Sequence, residues 1–88
     1  MKFKVLLHRK VKSFLVALDA SIRKRIIERL RELEDFPSTK LDIVKIAGEE
    51  DTFRLRIGKY RALFKVYEKE SIIVVVNLDL RKRVYRSQ

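Results

Sequence analysis

Phe53-Arg54-Leu55-Arg56-Ile57-Gly58-Lys59-Tyr60-Arg61-Ala62-Leu63-Phe64-Lys65-Val66 reads as two alternating strands folded about Gly58-Lys59. A two-residue loop with glycine first suits a type II′ hairpin, because that position needs a positive φ that glycine adopts without strain. The loop length sets the register. Ile57 then faces Tyr60, Arg56 faces Arg61, Leu55 faces Ala62, Arg54 faces Leu63 and Thr52 faces Lys65. One face carries Phe53, Leu55, Ile57, Tyr60, Ala62, Phe64 and Val66, a continuous apolar surface that must be covered. The other carries Arg54, Arg56, Arg61 and Lys65, with Leu63 among them.

The flanking chain supplies the cover. After Tyr67, a turn over Glu68–Ser71 leads into Ile72–Leu78, whose near-unbroken Ile and Val predict a central strand buried on both faces. Before Thr52, Leu41–Ala47 predicts another strand, closed by Gly48 and the acidic turn Glu49-Glu50-Asp51. Three acids in a turn could suggest a divalent metal, but solvated loop residues are the commoner case. At the start, Lys2–His8 alternates as a strand, with Leu6 breaking the pattern. The period then changes: Val11, Phe14, Leu15 and Leu18 fall at helical spacing, as do Ile22, Ile26, Leu30 and Leu33. Asp19 or Ser21 caps the second helix and Pro37 ends it, since proline has no amide hydrogen to continue the ladder. The order is β-α-α-β-β-β-β, an α+β fold with a helical hairpin packed on one face of a mainly antiparallel sheet. Eighty-eight residues allow one domain, residues 1–88.

The chain has 22 Lys and Arg against 12 Asp and Glu, a net charge of +10 that selects polyanions as partners. Cysteine is absent, which excludes disulfides, thiolate nucleophiles, zinc–cysteine sites and iron–sulfur clusters. The single histidine, His8, has no partner for a His-pair metal motif and is read as structural. No apolar run approaches the length of a membrane span, so the chain is expected to be cytoplasmic and away from membranes.

Arg56 opposite Arg61 is the most informative pair. Like charges directly across a ladder destabilise a sheet by roughly 0.2–1 kcal/mol, so folding alone does not favour them. A surface that binds phosphate does, because guanidinium is a planar fork matched to two phosphate oxygens. The run Leu80-Arg81-Lys82-Arg83-Val84-Tyr85-Arg86 adds four cations and a phenol directly after the last strand. A tyrosine among cations can stack on a base or move a proton.

Three blocks together, Lys45-Ile46-Ala47-Gly48, Phe53 to Val66, and Arg81-Lys82-Arg83-Val84-Tyr85-Arg86, make the chain resemble the RelE/ParE toxins of type II toxin–antitoxin systems. Within that superfamily it is most similar to archaeal-type RelE mRNA interferases. The middle block belongs to the superfamily as a whole and does not separate RNA cleavage from the DNA gyrase poisoning associated with ParE. The RelE resemblance implies a ribosome-dependent endoribonuclease that cuts mRNA in the A site by attack of a ribose 2′-OH on the adjacent phosphate, with no cofactor and no metal. By position it implies Arg61 as the phosphate-stabilising arginine, Tyr85 as the C-terminal tyrosine, and Arg81 or Arg83 as a second catalytic arginine. Arg54 and Arg56 stand where the family offers lysines. Arginine cannot act as a general base at neutral pH, which leaves Tyr85 for that role. Phosphate contacts are expected from Arg54, Arg56, Lys65, Lys82 and Arg86. The implied partners are the ribosome, mRNA and a cognate antitoxin, which the charge of +10 predicts to be acidic and for which Leu63 marks a docking position. The alternatives are a gyrase-inhibiting ParE-like toxin without nuclease activity, and a non-toxic basic RNA-binding domain.

Overall fold

The hairpin forms with the register expected of it. The computed structural model describes residues 2–80. In it β3 (Thr52–Ile57) and β4 (Tyr60–Tyr67) are antiparallel, and Arg56 lies opposite Arg61. Gly58 has φ +59°, and Lys59 is not among the residues of positive φ, as a type II′ turn requires.

The other elements are β1 (Lys4–Leu7), α1 (Arg9–Val16), α2 (Ala20–Arg31) with a 3-10 turn at Glu32–Asp35, β2 (Asp42–Lys45) and β5 (Ile72–Leu80). The five strands are ordered β1-β5-β4-β3-β2. All neighbours are antiparallel except β1 and β5, which are parallel. Both helices cover one face of the sheet. Val11 and Leu15 of α1, with Ile26, Leu30 and Leu33 from α2 and its continuation, close over Leu55, Ile57, Tyr60, Ala62, Phe64, Val66, Ile73, Val75 and Leu78. A satellite of rings completes this core: Phe64 stacks on Phe53 at 5.5 Å, and Phe36 meets both edge-on, at 5.1 Å from Phe53 and 5.5 Å from Phe64. Phe36 precedes a cis proline, Pro37.

Two readings are corrected in detail. The α-helical part of α2 stops at Arg31, before Pro37, because the chain tightens into the 3-10 turn that buries Leu33. The last strand lies between β1 and β4 as expected of a central strand, but among the described residues helices cover only one of its faces. Ile73 and Val75 are fully buried, whereas Ile72 and Val74, on the far side, stay half-buried. A bulge also interrupts β5: Phe64 pairs with Val75 and Leu63 with Asn77, so Val76 is the extra residue and the inward phase moves from Ile73 and Val75 to Leu78.

Helix entry is set by two side chains. His8 Nδ1 accepts the Lys10 N–H at 3.0 Å and caps α1, the structural role expected of it. Asp19 caps α2, accepting from the Ser21 hydroxyl at 2.7 Å and the Ser21 N–H at 3.2 Å. The hydroxyl bond first and then the backbone bond, with a lesser contribution from the Arg23 charge, hold the Asp19 carboxyl below its ordinary value of 3.8 against the opposing effect of desolvation. A lowered folded pKa means that the cap stabilises the fold above the ordinary value and that this contribution fades as pH falls through the folded one. Asp19→Asn keeps an acceptor but cannot titrate. Its melting temperature is therefore expected to fall less steeply than the parent's below about pH 4. Parallel acid limbs in thermal melts of the two proteins would contradict the assignment.

No helix among the described residues is long and apolar enough to cross a membrane.

Candidate nucleic-acid interface

The face of the sheet opposite the helices is built by alternate residues of every strand. Across its middle run four aligned positions: Asp42 of β2, Arg56 of β3, Arg61 of β4 and Asp79 of β5. The arginine pair is therefore bracketed by a carboxylate on either side, and the row reads minus, plus, plus, minus. Arg56 Nε lies 3.7 Å from Asp42 Oδ2, with both side chains exposed, so this pair fixes orientation more than it stabilises.

The two arginines have different environments. Arg56 is exposed, whereas Arg61 is only 5% exposed. Arg61 Nη1 donates to the carbonyls of Gly58 and Tyr60, both at 2.9 Å, so the side chain staples its own turn. A guanidinium has five N–H donors, and these two bonds draw on only one of its three nitrogens. The arginine that the resemblance makes phosphate-stabilising is thus held in place by its own turn.

The next row is Val44, Arg54, Leu63 and Asn77. Arg54 is half-buried. Leu63 is 8% exposed, which corrects its reading as an open apolar docking position. Beyond it, Lys65 is exposed and lies between Thr52 and Val74. Thr52 is buried, its hydroxyl donating to the Glu50 carbonyl at 3.0 Å. Arg54, Arg56, Arg61 and Lys65 thus share one face, as expected, with apolar residues interleaved. Arg81, Lys82, Arg83, Tyr85 and Arg86 lie outside the described residues.

The carboxylates flanking the arginine pair were not anticipated. Asp42 could have been placed only with the β2 register, and Asp79 only with knowledge of the bulge at Val76. The acidic turn acts through its backbone: the Glu49 carbonyl accepts from Lys45 Nζ at 3.1 Å and the Asp51 carbonyl from the Val66 N–H at 2.9 Å. Among the described residues no group of three or more His, Cys, Asp or Glu side chains could hold a metal ion.

Chemically, this face presents one guanidinium anchored to its own turn among further arginines and a lysine, an arrangement suited to holding a phosphodiester in one orientation. The family described as the ParE toxin of type II toxin–antitoxin systems, parDE, matches residues 5–85. The putative toxin RelE1 of Methanocaldococcus jannaschii is 32% identical over 89 residues, covering 99% of each chain. Among solved structures, the chain is similar to that of the archaeal RelE–RelB complex from Pyrococcus horikoshii OT3, with 31% identity, a TM-score of 0.79, and coverage of 94% of this chain and 99% of that one. It is also similar to the RelB–RelE antitoxin–toxin complex from Methanococcus jannaschii, with 30% identity, a TM-score of 0.72, and coverage of 91% and 94%.

Proposed function

The chain belongs to the RelE/ParE toxin family of type II toxin–antitoxin systems, and from that membership we propose that it is a ribosome-dependent mRNA endoribonuclease of the RelE kind. The observation that carries the reading is Arg56 directly opposite Arg61 on the sheet face away from the helices, with Arg61 locked to its own turn. In the proposed reaction the ribose 2′-oxygen forms a bond to the adjacent phosphorus while the bond from phosphorus to the 5′-oxygen breaks. The products are a cyclic phosphate and a free 5′-OH, the leaving 5′-oxygen taking its proton from solvent water. Arg61 stabilises the charge that gathers on the phosphate oxygens, and Arg81 or Arg83 assists it. Arg54, Arg56, Lys65, Lys82 and Arg86 hold the strand. Arginine is no general base at neutral pH, so Tyr85, as the phenolate that the cations beside it in the sequence favour, takes the proton of the 2′-OH. Tyr85→Phe is then expected to lose cleavage while keeping RNA affinity, measured as single-turnover cutting of ribosome-bound message beside binding. Parental cutting by the phenylalanine variant would remove Tyr85 from the mechanism.

An antitoxin is part of the same proposal. The RelE chains of the two archaeal structures are in complexes with RelB. A net charge of +10 favours an acidic counterpart here by steering and by complementarity.

The match to the ParE family favours a second reading, a toxin that inhibits DNA gyrase and leaves RNA intact. Purified protein added separately to a gyrase supercoiling reaction and to a translation reaction distinguishes them. We expect translation to stop while supercoiling continues. Blocked supercoiling with translation intact would install the second reading.

A further inference from the structure

The tip of the hairpin gathers cations from both layers of the fold. Arg25 stands on α2 beside the buried stripe, one residue before the fully buried Ile26, and its Nη2 ends 3.7 Å from where a Cβ on Gly58 would lie. Gly58, with φ +59°, carries no side chain to hold that head away. On the carbonyl side of the same residue sits Arg61 Nη1, 2.9 Å from the Gly58 oxygen. Lys59, next in the turn, is exposed, with its Nζ 5.9 Å from the centroid of the Tyr60 ring. Three cations therefore surround one two-residue turn.

Neighbouring arginines of α2 have evident structural roles: Arg23 donates to the carbonyls of Leu18 and Val16, and Arg29 pairs with Glu32 at 2.9 Å. Among the described residues, Arg25 and Lys59 take part in no ion pair. Gathering Arg25 and Lys59 beside Arg61 is electrostatically unfavourable, and an anion at the turn reverses the sign of that interaction. The turn adjoins the Arg56–Arg61 pair, since Ile57 and Tyr60 alone separate that pair from the loop.

We propose that Arg25 and Lys59, on either side of the Gly58 turn, form a second phosphate subsite that grips the RNA strand next to the phosphate held by Arg56 and Arg61. The inference rests on the reading that the ligand is RNA, and deepens it. Arg25 supplies the planar fork and Lys59 a mobile point charge. Both residues are exposed, so substitution leaves the core intact.

The test uses the full chain and a short fluorescent oligouridylate, with binding followed by anisotropy across a salt titration. Each lost contact to a single strand lowers the slope of log affinity against log salt by roughly 0.7, so Arg25→Ala with Lys59→Ala should lower it by about 1.4. Arg25→Lys alone should retain most of the slope. Lys69→Ala, in the β4–β5 turn at the opposite end of the sheet, should leave it unchanged. An unaltered slope in the double variant overturns the subsite, as does an equal loss in Lys69→Ala, which would show only a diffuse field. A double variant that binds RNA as the parent does but loses affinity for an acidic antitoxin peptide also overturns it, in favour of a protein contact. A parent that binds with the expected difference yet cuts no message upholds the subsite while refuting the nuclease reading. Failure of the parent to bind the oligonucleotide at low salt refutes the subsite.

Discussion

Arg61→Ala is expected to lower cleavage of ribosome-bound message by about 10²–10³-fold, the usual effect of removing one preorganised donor from a developing negative charge. The magnitude follows from its preorganisation. Arg61 is 5% exposed and tied to the Gly58 and Tyr60 carbonyls, so little reorientation is needed when charge develops on the phosphate. Poor solvent access also strengthens its field at the reacting atoms. The variant also loses two hydrogen bonds from a charged group to its own turn, worth about 1.5–3 kcal/mol each. That loss is read separately by denaturation. Arg61→Lys keeps a charge but not the fork, so it should recover only part of the rate. Single-turnover cutting by Arg61→Ala at the parental rate would show that Arg61 serves the turn alone.

Phe64→Ala carries the largest expected loss of stability. Phe64 has no exposed surface, and its ring lies 5.5 Å from those of both Phe53 and Phe36, stacked on the first and edge-on to the second. Truncating such a side chain costs about 3–5 kcal/mol, because the rigid strands and the rings around it cannot collapse into the space. Domains of this size are stable by only about 5–15 kcal/mol, so the variant should lose from about a fifth to all of its stability. Urea denaturation checks this. Val44→Ala, on the face opposite the helices and 46% exposed, is the control and should change stability by less than about 0.5 kcal/mol. A loss below about 1.5 kcal/mol in Phe64→Ala would mean that the cluster of phenylalanines does not hold the sheet to its loop.

The hairpin was legible because its information is local. Gly58-Lys59 determines the turn, the turn determines the pairing, and Arg56 opposite Arg61 follows without knowledge of any other strand. Where position depends on distant chain, the reading stopped short. The Ile and Val run of β5 conceals its own phase, since every residue is apolar whichever way it points, and the bulge at Val76 leaves no mark in such a run. Asp79 opposite Arg61 was hidden with it. The burial of Leu63 and Arg61 was equally hard to see, because alternation assigns a face but not the depth of cover on that face. Arg25 offered no signal: on a helix rich in cations, only the packing of α2 against the hairpin sets it apart from Lys24 or Arg29. The C-terminal part of the candidate site, Arg81, Lys82, Arg83, Tyr85 and Arg86, remains a proposal carried by sequence resemblance.

The central claim is that this fold cuts message on the ribosome, and primer extension tests it most directly. Purified protein is added to a defined message with translating ribosomes and, in parallel, to the same message without them. The account predicts new ends at codon-phased positions only where ribosomes are present, absent with Arg61→Ala. Intact message in both reactions, or cuts of equal strength without ribosomes, would contradict it.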